Sequence, residues 1–137
     1  MTKSKTAALN QLHKLAKQAA RRSYSPYSKF RVGAALLLTN GEIVTGTNVE
    51  NASYGLTICA ERSALVCAVA QFGPKIRIAA AAVANLNDSS SPPCGACRQV
   101  LAEFALPNAP VTFSAANGVR TMTFSELLPA GFELKAK

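Results

Sequence analysis

Two short stretches constrain this chain more than any other feature. One is Thr57-Ile58-Cys59-Ala60-Glu61-Arg62, and the other is Pro92-Pro93-Cys94-Gly95-Ala96-Cys97-Arg98-Gln99. Each places cysteine at the start of a helix-like run. Their thiols share one ligand only if the fold brings two helix starts together. Cys94 and Cys97 stand three apart and so lie on one helix face. Two thiolates at that spacing are half of a common zinc pattern. No second Cys-x-x-Cys and no pair of histidines exists to complete a closed structural site. Cys59 has a matching setting. Cys67 falls in mid-helix among Ala and Val and reads as core, while His13, with Lys14 and Lys17 nearby, reads as an exposed side chain.

Three protein ligands leave one tetrahedral position for water, the pattern of a catalytic zinc. Glu61 is two residues beyond Cys59. In a first helical turn both side chains flank the helix end, so the carboxylate reaches the water without being a ligand. Three thiolates on one divalent ion leave a net charge of about −1, which weakens a Lewis acid. Two helix N-termini offset part of it. Arg62 is expected to donate to a thiolate sulfur, and Arg98 is a second candidate for the same role.

The 137 residues suit one domain, 1–137, and 49% hydrophobic content is enough for a core without disulfides or a structural metal. No apolar run reaches the length of a membrane span. No apolar run follows the basic Met-Thr-Lys-Ser-Lys start, so no secretory signal and a cytoplasmic location are expected. Four cysteines in such a chain favour reduced thiols. The formal charge is +8, and eight of the fifteen Lys and Arg lie between Lys3 and Arg31. No aromatic-rich basic stripe accompanies them, so this charge reads as a solvated helix face rather than a nucleic-acid interface.

The order of elements follows from periodicity and breakers. Residues 6–21 lack Gly and Pro and carry Leu9, Leu12, Leu15, Ala16 and Ala19 at helical spacing. Phe30–Leu38 and Ile43–Val49 form a hairpin about Asn40-Gly41. Ala52–Thr57 reads as a loop. Cys59–Phe72 is a helix stopped by Gly73-Pro74, and Ile76–Ala84 is a strand buried on both faces. Asn85–Pro93 is a polar loop, and Cys94–Phe104 a helix opened by Pro93. Pro110–Ser114 and Val119–Thr123 are strands around Asn117-Gly118. Phe124–Leu128 is a short helical turn capped by Ser125, and a loose tail follows. The expected fold is α/β, layered, with one mixed five-stranded sheet and helices packed on it.

Cys-Ala-Glu-Arg at 59–62 with Pro-Cys-Gly-Ala-Cys-Arg-Gln at 93–99 resembles the signature of zinc-dependent deaminases in its three-cysteine form. Phe30-Arg-Val-Gly-Ala-Ala, Asn48-Val-Glu-Asn-Ala-Ser-Tyr54-Gly and the chain length are similar to the small homotetrameric cytidine deaminases, over roughly residues 20 to 132. The resemblance implies hydrolytic deamination of cytidine and deoxycytidine, as in pyrimidine salvage. It implies one Zn2+ per subunit on Cys59, Cys94 and Cys97, with Glu61 moving protons between the water, the ring nitrogen and the leaving amine. Asn48 and Glu50 would bind ribose hydroxyls, with Val49 in the same substrate-binding segment. Phe30 would pack on the pyrimidine, and the Ala60 backbone would meet the base edge. Tyr54 and Phe132 would stand near a neighbouring subunit's pocket in a homotetramer whose sites are shared.

Three alternatives remain at this level. The same chemistry serves a nucleoside antibiotic such as blasticidin S, or cytosine in a polynucleotide, although the chain has no long insertion for nucleic acid. A structural zinc module is the third. It needs a fourth protein ligand, for which only His13 and Cys67 remain.

Overall fold

In the computed structural model, residues 3–135 are described. Helix α1 (Lys3–Ala20) is followed by strands β1 (Val32–Leu38) and β2 (Ile43–Thr47). A 3-10 turn (Tyr54–Leu56) precedes α2 (Ala60–Phe72), β3 (Ile78–Asn85) and α3 (Gly95–Ala102). Strands β4 (Pro110–Ala115) and β5 (Gly118–Thr123) and the short helix α4 (Phe124–Leu127) complete the order. The expected sequence of helices and strands is present, and the loop expected over Ala52–Thr57 contains the 3-10 turn.

The sheet order is β2-β1-β3-β4-β5, with only the β3–β4 pair parallel. This is the expected mixed five-stranded sheet. Alternation along β3 explains the layering. Ala80, Ala82 and Ala84 pack with Leu9, Leu12 and Ala16 of α1. Ala81 and Val83 face Leu65 of α2, Leu101 of α3 and Leu127 of α4. One helix therefore covers one face and three cover the other. The small side chains of β3 let both helical layers approach closely, as a strand buried on both faces requires.

Register brings the functional segments to one edge. Val32 at the start of β1 pairs with Asn85 at the end of β3, and Gly33 pairs with Thr47 at the end of β2. The segments leading into β1 and out of β2 and β3 thus converge. Two glycines fix the helices above and below this edge. A Cβ on Gly33 would lie 1.9 Å from the Ala16 carbonyl oxygen of α1. One on Gly46 would lie 2.4 Å from the Ala64 nitrogen and 2.7 Å from the Ala60 oxygen of α2. Backbone presses on backbone at both points, and no larger residue fits.

Several sequence expectations need correction. Ala20, not Ala19, belongs to the buried face of α1. His13 is half-buried rather than exposed, and burial lowers its pKa. Strand β2 ends at Thr47 rather than Val49, because Asn48 turns its side chain back to Val32 N and Phe30 O. Thr123, not Ser125, caps α4: its hydroxyl accepts from Glu126 N, and the Glu126 carboxylate accepts from Thr123 N. Cys67 is partly buried against the core, as expected.

The charge is segregated along the chain. The first 41 residues contain no Asp or Glu and carry eight Lys and Arg, while the remaining seven basic residues are matched by the seven acidic ones. Lys14, Lys17, Arg21 and Arg22 are exposed on and just beyond α1.

Gly46→Ala is expected to destabilise the protein by about 2 kcal/mol or more, the scale of an overpacked core. Gly41→Ala at the hairpin tip, where a Cβ meets nothing within 4 Å but φ is +91°, should cost less. Denaturant midpoints of the two variants check the order.

Candidate active site

Helices α2 and α3 begin at the same place, and each has a cysteine at its N-cap position, although only Cys94 makes a capping hydrogen bond. Cys59 occupies the N-cap of α2 and Cys94 that of α3. The Cys94 sulfur accepts from Cys97 N at 3.5 Å, taking the place of the usual hydroxyl or carboxylate cap. The sulfurs of Cys59 and Cys94 are 4.0 Å apart, and those of Cys94 and Cys97 are 3.5 Å apart. All three lie within 4.8 Å of one another. Tetrahedral ligation at the usual Zn–S length needs sulfurs about 3.8 Å apart. The donor set and its spacing therefore fit one Zn2+. Neither His13 nor Cys67 joins the cluster among the described residues, so no fourth protein ligand completes a closed module there.

The electrostatics follow from contacts. The Cys97 thiol hydrogen-bonds the Cys59 sulfur and, with the Arg62 guanidinium, holds Cys59 down at about 5 against the opposing effect of burial. The same contact and burial push Cys97 up. Arg62 Nη2 donates to Cys59 Sγ at 3.3 Å, as the sequence led us to expect, while its Nε is buried without a partner. Glu61 is only 4% exposed. Burial pushes its carboxyl up to about 7, and the charge of the Cys59 sulfur adds to the rise. A carboxyl poised there is suited to both taking and giving a proton.

Beside the sulfurs lies a cavity of about 310 Å3. Phe30, Asn48, Glu50, Tyr54, Cys59, Ala60, Glu61 and Cys94 all line it. These expected site residues come from the lead into β1, the exit of β2, the 3-10 turn and the starts of α2 and α3. Thr57 and Pro92 of the two opening stretches also line it, and Val32, Val83, Ser28, Ser90 and Ser91 add wall that the sequence reading did not single out. Ser90-Ser91 before the two prolines was the available signal, since it leads directly into the ligand turn.

Val49 and Arg98 stand apart from their expected places, and Phe132, expected at a neighbouring subunit's pocket, lies outside this chain's own cavity. Val49 is not part of the cavity wall. Its backbone pairs with Ile58, and its side chain is 44% exposed. Phe132 is 71% exposed and lines a separate groove beside Ala102 and Leu128. Arg98 does not donate to sulfur: Nε reaches the Pro93 carbonyl at 2.7 Å and Nη1 the Leu127 carbonyl at 2.9 Å.

Asn48 and Glu50 are buried and already partnered. Asn48 Oδ1 accepts from Val32 N at 3.0 Å and from Ser23 Oγ, and Nδ2 donates to Phe30 O at 2.8 Å. Glu50 accepts from Tyr27 N at 3.0 Å, Ser28 N at 3.2 Å and the Ser28 hydroxyl. The Ser28 hydroxyl is the main cause that holds Glu50 below its ordinary value. These bonds shape the loop that presents Phe30.

A carboxyl whose folded pKa is depressed stabilises the fold above its unfolded pKa, and the contribution fades as pH falls through the folded value. Ser28→Ala should therefore be less stable than the parent at neutral pH. The gap should close as acid protonates Glu50, a trend that denaturant midpoints across the carboxylate range check.

The chain matches the family model described as "Cytidine and deoxycytidylate deaminase zinc-binding region" over residues 6–113. It is 48% identical over 122 residues to a cytidine deaminase of Halalkalibacterium halodurans, covering 88% of this chain and 91% of that protein. It is 46% identical over 125 residues to one of Mycobacterium tuberculosis, covering 91% and 90%. The crystal structure of a cytidine deaminase from Burkholderia pseudomallei superposes with a TM-score of 0.81 at 42% identity, covering 96% of this chain and all of that one. Two helices that begin at cysteines, a three-sulfur cluster and a buried glutamate thus occur in a chain related along most of its length to zinc deaminases, and the chain belongs to the cytidine and deoxycytidylate deaminase family.

Proposed function

We propose that the protein hydrolyses cytidine and deoxycytidine to uridine and deoxyuridine, releasing ammonia. The observation that carries this reading is Glu61, buried beside three convergent thiols and lining a small cavity. Cys59, Cys94 and Cys97 are the residues that would hold one Zn2+ per subunit. When bound, zinc supplies Lewis acidity that activates a water at neutral pH.

The chain's own groups do the rest. Glu61 takes a proton from the attacking water and delivers it to the ring nitrogen. The water oxygen bonds to the ring carbon that bears the amine; Glu61 then takes the remaining proton of that oxygen and passes it to the amine as the carbon–nitrogen bond breaks, so that water and cytidine become uridine and ammonia. Phe30 offers its ring to the pyrimidine, and the Ala60 backbone meets the base edge. A carboxylate accepts at about four positions and an amide donates two hydrogens. Glu50, with three donors on it, keeps one acceptor position, and Asn48 Nδ2 keeps one hydrogen. Together they offer a ribose hydroxyl one acceptor and one donor. Val49 contributes through the backbone between them.

A cavity of about 310 Å3 lies at the small end of the usual range for small-molecule sites and favours a free nucleoside over a polynucleotide. Blasticidin S remains the second substrate candidate. Val49, Tyr54, Leu56 and Ile58, between β2 and α2, and Val66 of α2 are exposed apolar side chains. Exposed apolar surface of this kind supports a homotetramer in which Tyr54 and Phe132 meet a neighbouring subunit's pocket. A place in pyrimidine salvage and a cytoplasmic location complete the proposal.

Glu61→Ala should lower the deamination rate by about 100- to 10,000-fold or more while zinc is retained. Full activity in that variant would sink the mechanism. Arg62→Gln should lower kcat without expelling zinc, and unchanged kinetics would remove the arginine from the mechanism. Rates on cytidine, blasticidin S and a cytosine-bearing oligonucleotide rank the substrates, and cytidine should be fastest. Sedimentation analysis should return a tetramer.

A further inference from the structure

We propose that Arg98 is a positioning residue for Cys94, and that α4 is the anchor against which the ligand turn is braced. This rests on the reading of Cys94 as a zinc ligand. The residue before it, Pro93, is fully buried and, like Pro92, has no N–H to donate. The carbonyl of Pro93 is therefore the natural handle on this part of the turn, and Arg98 Nε holds it at 2.7 Å. The same guanidinium reaches the carbonyl of Leu127, the last residue of α4, at 2.9 Å.

The far end of this brace is itself fixed. Phe124 N donates to Ala109 O at 2.8 Å and Ser125 N to Pro107 O at 2.9 Å. The Thr123–Glu126 capping box closes the first turn. Leu127 is 3% exposed, in the core. Arg98 thus spans from a helix tied to the sheet to the backbone immediately before a metal ligand. It is absent from the walls of the nucleoside cavity and lines a separate groove with Met122 and Leu127, sharing Ser90 and Pro92 with the cavity. Its influence on the reaction passes through Cys94. A lysine cannot replace it, because one ammonium lacks the planar fork whose separate nitrogens meet two carbonyls at once.

The test is zinc release from the loaded protein to a chromogenic chelator, measured under native conditions with Tm alongside. Arg98→Lys and Arg98→Gln should both release zinc about 10- to 100-fold faster than the parent, the scale on which groups that orient ligands tune metal affinity. Glu126→Ala removes an exposed residue and loosens only the anchor, so it should release zinc faster by a smaller factor of at least about twofold. Leu12→Ala, in the α1 layer, should lower Tm and leave release at the parent rate. Parent-like release in the Arg98 variants overturns the proposal. So does release from Leu12→Ala as fast as from Arg98→Lys, which would make the effect general loosening. A parent protein that holds no zinc overturns the reading of the metal site itself, and this proposal with it.

Discussion

The contact between α2 and the β1–β2 hairpin at Gly46 sets the position of nearly every reactive group. Ala60 and Ala64 rest directly on that glycine, and Cys59, Glu61 and Arg62 belong to the same first turn of helix. Moving the helix outward by the width of a methyl group would carry Glu61 away from the thiols on α3. Gly33 does the same work on the opposite face, where α1 closes on the sheet. The alanines of β3 extend this thin packing across the centre. The site is thus located by the absence of side chains as much as by their presence.

With the backbone fixed, charge becomes the controlling quantity. Two helix N-termini and Arg62 face the sulfur cluster, and each favours thiolate over thiol. Burial works on Glu61 in the other direction and holds its proton near neutrality. Residues two apart in sequence therefore prefer opposite ionic states. In the proposed reaction, that separation lets Cys59 serve as ligand while Glu61 exchanges protons. The two arginines divide the remaining work: Arg62 addresses a sulfur, whereas Arg98 addresses carbonyls.

Much of this was legible in the residues. Runs free of Gly and Pro marked α1 and α2, and the nearly continuous apolar run Ile76–Ala84 read as a strand covered on both faces, which the structure places at Ile78–Asn85. Cysteine at two helix starts announced the metal cluster. What failed has physical causes. Thr123 and Ser125 are both hydroxyl residues, and only the direction of the entering strand decides which one caps α4. His13 sits among lysines in sequence, yet one helical step turns its ring toward the protein. Arg98 looked like a partner for sulfur because sequence shows its charge and hides the carbonyls around it. Val49 was grouped with its neighbours although alternation of side chains along an extended segment places Asn48 and Glu50 on one side and Val49 on the other.

The uneven charge of the chain also has a consequence for how molecules arrive. All of the net positive charge belongs to the first 41 residues, much of it on the outer side of α1 and the turn after it, and the rest of the chain is balanced. Such a molecule is a strong dipole that orients near any anionic surface. An uncharged nucleoside feels none of this. Ionic strength then modulates any contact of this face with anionic surfaces, while the frequency of encounters between an uncharged nucleoside and the cavity depends on diffusion and shape. Crowding by polyanions and turnover of substrate are, for this surface, separately adjustable.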